Sequence, residues 1–157
     1  MKNYVESLRE LIGTQMLYLP GVRAIIINGG GEVLLQMRTD VGLWGLPSGS
    51  CELGETALET LQREVAEETA LEVLEAEPMA LYSGPGQSVQ YPNGDRIQCF
   101  SVCFIVRKWK GTPKVDGVEG SELKFFPPDS LPENLVELHR RTLKDFTDHD
   151  GKFRLLE

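Results

Sequence analysis

An α/β fold, with a mixed sheet held between helices, is predicted by three features of this 157-residue sequence. β-rich apolar runs alternate with two longer amphipathic segments, around residues 56–69 and 135–146. The first of these has an apolar stripe on one side and carboxylates on the other, as a helix lying on a sheet requires. A long run over residues 96–108 is apolar at both parities through its middle, which suits a strand covered on both faces. A hydrophobic content of 41% is enough for one compact domain spanning residues 1–157, without repeats, low-complexity segments or linkers.

In order, residues 3–12 read as a short amphipathic helix. Tyr4, Val5, Leu8, Leu11 and Ile12 share one side and Gly13 stops it. Its apolar side is expected either to cover the sheet or to meet a second copy of the chain in a homodimer. Residues 16–19 read as an edge strand closed by Pro20-Gly21, and residues 22–28 as a β-branched strand. Gly29-Gly30-Gly31 then turns the chain into a strand over residues 32–37, which gives a hairpin. Arg38 follows that strand and is a candidate for an anionic ligand, with simple solvation as the alternative. Residues 39–48 read as a loop in which Trp44 packs against apolar neighbours.

The segment from Gly49 to Leu71 concentrates acidic side chains: Glu55, Glu59, Glu64, Glu67 and Glu68. Thr56 with Glu59 forms a capping-box signal, and Ala57, Leu58, Leu61 and Val65 recur at helical spacing. Residues three and four apart share a face, so Glu64, Glu67 and Glu68 stand together near the helix end that disfavours anions. Each like-charge contact destabilises an isolated helix by roughly a few tenths of a kcal/mol, so a cation is expected among them. Oxygen-only ligands suit Mg2+ or Mn2+ better than zinc. Arg63 is placed to pair with Glu59 on the helix or with Glu55 from a folded-back loop.

These residues read G-x5-E-x7-R-E-V-x-E-E-x-A-L and resemble the Nudix box of the MutT/Nudix hydrolases. The departure is Ala70, where the family has Gly; a left-handed helix exit there carries a steric penalty for Ala. Ser48 stands in WGLPSG where related sequences often have Gly. The resemblance implies a Nudix-type α/β/α sandwich. It also implies Mg2+-dependent or Mn2+-dependent hydrolysis of a nucleoside diphosphate linked to another moiety. It makes Glu64, Glu67 and Glu68 the metal ligands, with the Gly49 carbonyl as a further one and Arg63 in the catalytic set. The general base stays open between Glu67, Glu68 and a later loop, where Glu119 leads, then Glu122, then Asp116.

Beyond the box, residues 72–75 and 79–83 read as short strands separated by Pro78, and Gly84-Pro85-Gly86 breaks the chain. The loop over residues 84–95 is long enough to shape a substrate pocket, with Tyr82, Gln87, Tyr91 and Arg96 as candidate contacts. A polar loop over residues 110–120, a closing strand at 123–126 and a final helix through Leu135, Leu138, Thr142 and Phe146 complete the chain.

A net charge of −8 opposes binding to nucleic acid or anionic membranes. No run is long enough to cross a bilayer and no leader pattern is visible. Cys51, Cys99 and Cys103 lack metal-ligand spacing and are expected as free thiols, so a cytoplasmic protein is expected. The favoured substrates are ADP-ribose or nucleotide-sugar types. An oxidised-nucleotide triphosphatase is the alternative, and a non-catalytic nucleotide-sensing module is the reading from a different class.

Overall fold

The computed structural model describes residues 2–157. Its elements are α1 (Tyr4–Ile12), β1 (Leu17–Ile26), β2 (Val33–Arg38), β3 (Trp44–Gly45), β4 (Ser48–Ser50), α2 (Ala57–Thr69), β5 (Glu72–Tyr82), β6 (Ser88–Gln90), β7 (Arg96–Lys110), β8 (Gly120–Phe126), α3 (Glu137–Thr147) and β9 (Arg154–Leu156). The main sheet runs β4-β1-β7-β5-β9, with β6 also on β7, and a smaller sheet runs β3-β2-β8. β1 is parallel to β7 and β5 to β9, whereas the other pairs are antiparallel, so the sheet is mixed.

β1 separates two cores. Val22, Ala24 and Ile26 pack with Leu61 and Val65 of α2, while Ile25 packs on the other side with Trp44, Leu135 and Leu143 of the α3 layer. Cys103 and Phe104 of β7 divide in the same way. Each fully buried Leu, Ile or Val contributes about 1.5–3 kcal/mol, so both faces of β1 and β7 have to be apolar. This is the α/β/α arrangement expected from the alternating runs. Among the described residues no helix is long and apolar enough to cross a membrane, and the three cysteines are free thiols.

Several boundaries differ from the sequence reading. Pro20-Gly21 does not end a strand, because β1 runs through both residues between β4 and β7. The Pro20 carbonyl accepts the Cys51 N–H at 3.0 Å, so its ring nitrogen faces the same side, where the β4 ladder has ended and no donor is required. A Cβ on Gly21 would lie 2.6 Å from the Gly49 carbonyl oxygen, and glycine is what lets β4 close on β1. The hairpin expected around Gly29-Gly30-Gly31 opens after one bridge, Ile27 to Val33. Asn28 holds the turn by accepting the Gly30 and Glu32 N–H groups, and β2 then leaves to pair with β3 and β8.

Pro78 likewise lies inside one strand. β9 pairs with β5 only at Ala80–Tyr82, so Pro78 sits on a free edge and next to a register shift, the positions a strand proline tolerates. Leu58 is 46% exposed and stands outside the α2 core stripe. α1 has no fully buried residue, but Tyr4, Val5, Leu8 and Ile12 on its apolar side are half-buried while Leu11 is exposed. The helix is tied down by polar bonds: the Tyr4 N–H to Glu52 at 2.9 Å and the Arg9 guanidinium to the Arg96 carbonyl at 2.7 Å.

Candidate active site

The loop before α2 is folded back by its own charges. Thr56 and Glu59 cap the helix reciprocally, the Thr56 hydroxyl accepting the Glu59 N–H at 3.2 Å and the Glu59 carboxylate accepting the Thr56 N–H at 2.8 Å. Glu59 is therefore used at the cap, and Arg63 takes the loop alternative. Its Nε and Nη2 donate to the two Glu55 oxygens at 2.6 and 2.9 Å, in the fork geometry that makes such pairs strong. Nη2 also reaches the Ser50 carbonyl at 3.0 Å, and Nη1 reaches Glu64 at 2.7 Å and Glu67 at 3.3 Å. One arginine thus joins loop, strand β4 and the acidic face. Its guanidinium holds the Glu55 carboxyl down to about 2.

Glu64 and Glu68 are 8% and 3% exposed, and Glu119 reaches them from the loop before β8. Oxygen atoms of the three carboxylates lie within 4.8 Å of one another. Burial pushes Glu64 up to about 7 against the pull of Arg63, with Glu119 and Glu67 adding to the rise. Burial, then the Glu64 charge, raises Glu68 well above the usual carboxylate range, although the Ser48 N–H at 3.0 Å and the Gln36 amide both bond it. The Gln36 Oε1 is enclosed and has no partner. Three oxygen donors at this separation, two of them enclosed and reluctant to ionise together, fit a hard divalent cation.

Glu67 stands on the rim, its side chain 58% exposed, bonded to Arg63 and outside the three-carboxylate group. Gly49 packs its Cα against the Glu64 carboxylate, where any Cβ would overlap it, and its carbonyl oxygen lies against Gly21. Glu122 of β8 pairs with Met37 of β2, and Asp116 accepts the N–H groups of Val118, Glu119 and Gly120; neither joins the group. Asp116 instead shapes the turn that presents Glu119.

A cleft of about 920 Å³ runs from these carboxylates past β1 to α3. Arg38 and Tyr91 line it, as do Asn3, Tyr4 and Val5 at the start of α1. Arg38 is held by Asp40 at 2.6 and 3.0 Å. Arg96 directs its Nε–H to the Thr14 carbonyl at 3.4 Å and is outside the cleft lining. Tyr82 is buried with its hydroxyl on Asp145, and Gln87 is buried against Arg23, so neither is a direct contact.

Two cleft residues escaped the sequence reading. Arg23 lies in the apolar run of β1 and is 3% exposed; its Nη1 donates to Thr142 at 3.0 Å, its Nη2 to Gln87 at 2.6 Å, and it stacks 4.9 Å from the Tyr82 ring centre. His139 of α3 accepts the Leu46 N–H on Nδ1 at 2.9 Å, and burial followed by the nearby Arg23 and Arg38 charges keeps the ring neutral. A lone arginine inside a β-branched run was the available signal; nothing in the sequence marked His139.

The fold and the acidic helix define a hydrolase class in which oxygen ligands serve phosphate chemistry. The chain belongs to the Nudix family, hydrolases of phosphorus-containing anhydrides: the NUDIX domain model matches residues 17–146. It is 31% identical over 130 residues to a provisionally assigned 8-oxo-dGTP diphosphatase of Bacillus subtilis, covering 83% of this chain and 80% of the relative. An ADP-ribose pyrophosphatase of Methanocaldococcus jannaschii is 33% identical over 135 residues, covering 83% and 75%. A crystal structure of a MutT Nudix hydrolase from Burkholderia pseudomallei superposes with a TM-score of 0.70 at 24% identity, covering 82% of this chain and 97% of that one, which supports the fold.

Proposed function

We propose that the protein hydrolyses the diphosphate bond of a nucleoside diphosphate linked to a second moiety, with Mg2+ or Mn2+, and releases a nucleoside monophosphate. The observation that carries this is the convergence of Glu64, Glu68 and Glu119 within 4.8 Å at one end of a nucleotide-sized cleft. The activities of both relatives name a nucleoside bearing phosphoanhydride linkages, which supports the same substrate class.

Glu64, Glu68 and Glu119 would hold the cation, with Glu67 at the rim and the Gly49 carbonyl as further candidates. A bound divalent cation there neutralises phosphate oxygens and lowers the pKa of a coordinated water. Arg63 is the positioning residue, fixing the Glu64 carboxylate through a guanidinium that Glu55 and Ser50 keep still. Glu119 is the solvent-facing member of the cluster, so it is our first choice to accept the proton of the attacking water, with Glu67 second. Arg38 and Tyr91, which line the same cleft, would contact the substrate. Free thiols suit a reducing compartment, and the proposed location is the cytoplasm.

The test is a panel of ADP-ribose, nucleotide sugars, dinucleoside polyphosphates and nucleoside triphosphates, assayed with Mg2+ or Mn2+ for monophosphate release. Glu64→Gln and Glu67→Gln should lower kcat by orders of magnitude with the fold intact. Full turnover by both variants removes the ligand assignment. No product from any substrate favours the nucleotide-sensing module instead.

A further inference from the structure

At its α3 end the cleft offers hydrogen-bond donors backed by positive charge. Arg23 and Val22 are neighbours on β1 and face opposite sides, so Val22 packs under α2 while Arg23 points to α3. The Arg23 guanidinium is enclosed with a hydroxyl, an amide oxygen, an aromatic face and the Cys99 thiol as partners, and no ion pair among the described residues includes it. A guanidinium carries five N–H groups, and Thr142, Gln87 and Cys99 take at most three of them. Beside it, the bond from Leu46 to Nδ1 of His139 fixes the ring proton on Nε2, so the free edge of this cleft-lining ring is also a donor.

A buried cation that is not matched by a carboxylate favours an acceptor-rich ligand group. In our reading of the cleft the phosphates lie at the Glu64, Glu68 and Glu119 end, which leaves the nucleobase for the α3 end. The bases differ there in one decisive way. Guanine carries O6 and N7 as adjacent acceptors that match an arginine fork, whereas adenine carries an N6 amino group that would meet the donors head on.

We propose that Arg23 and the Nε2–H of His139 form a base-reading pair that binds the O6 edge of a 6-oxopurine nucleotide and selects it over the adenine counterpart. This rests on the nucleotide-hydrolase reading above and deepens it, moving the preferred substrate from ADP-ribose towards a guanine-type nucleotide. Arg23 is the specificity-determining residue of the pair.

The experiment is calorimetric binding of GMP, IMP, AMP and ribose 5-phosphate to the full chain with Mg2+. These ligands have no diphosphate to cleave, so the result is independent of whether the protein turns anything over. GMP and IMP, which share O6, should bind at least about tenfold more tightly than AMP, and ribose 5-phosphate should bind more weakly than GMP. In Arg23→Met the GMP-to-AMP ratio should fall to within about threefold. AMP binding as tightly as GMP, IMP behaving like AMP, or ribose 5-phosphate matching GMP each overturns the proposal, the last by showing an anion site only. The comparisons on the unsubstituted chain decide the matter even if Arg23→Met does not fold. Selective GMP binding by a chain inert in the hydrolysis panel would keep this inference and refute the enzymatic one.

Discussion

Replacing Glu55 with Gln cuts the clamp on Arg63 at its strongest point. The wild-type carboxylate takes two donors from Arg63, the Glu52 N–H at 3.0 Å and the Thr60 hydroxyl at 2.9 Å. A carboxyl held at about 2 rather than 4.5 corresponds to a contribution of about 3 kcal/mol at neutral pH. The Glu55 side chain is 20% exposed and Gln keeps one acceptor, so the expected loss is about 2 kcal/mol. For a chain of this length that lowers the melting temperature by about 4–8 °C at pH 7. Because the folded pKa lies below the unfolded one, the contribution is complete above about pH 4.5 and disappears as pH falls through about 2. Thermal melts of both proteins at pH 7, 4 and 3 should show the gap narrowing with acid. An equal gap at all three values, or none at pH 7, refutes the clamp as the source of the depressed pKa. Freed from Glu55, Arg63 should also bind Glu64 and Glu67 more closely, so kcat should fall more than KM rises.

Three further outcomes follow from particular contacts. Ala70 exits α2 at φ 61° and is the one non-glycine residue with positive φ among the described residues; Ala70→Gly should stabilise by about 0.5–1 kcal/mol, seen as a higher denaturant midpoint at unchanged m-value. Gly49→Ala places a methyl in the space of the Glu64 carboxylate, which has to swing aside, so Mn2+ affinity should drop at least about tenfold while far-ultraviolet circular dichroism is unchanged. His139 has a folded pKa below that of the free imidazole, so below about pH 6.5 the unfolded chain binds more protons and stability falls with acid, by about 1.4 kcal/mol per pH unit. Its imidazole resonances should stay constant from pH 7.5 to 5.5, and a midpoint near 6.5 would contradict the buried neutral ring.

Periodicity and charge made the frame and the acidic helix legible. Leu61 and Val65 announce the packed side of α2, Thr56 and Glu59 its start, and apolar residues at both parities in the middle of β7 its double burial. Legibility failed where tertiary pairing overrode local signals. Pro20 and Pro78 read as breaks, yet each sits where one side of its strand has no ladder to supply. The site was legible in its acidic half, since Glu64, Glu67 and Glu68 share a helix face by geometry alone. Which of them join a cluster with Glu119, on a loop some fifty residues later, is a tertiary contact that spacing does not encode. Arg23 was hidden because a strand with two apolar faces gives no parity clue to a charged exception.

That strand also separates the chemistry from the choice of substrate. Even-numbered side chains of β1, from Val22 to Ile26, seat the helix that carries the carboxylates, and the odd-numbered Arg23 meets α3. Exchanges at Arg23, His139 or Thr142 can therefore retune which base is admitted without disturbing the seating of the acidic helix. A single inserted residue after Gly21 would do the reverse, rotating the cation into oil and an aliphatic chain into the cleft, so length changes in this enzyme belong in its turns.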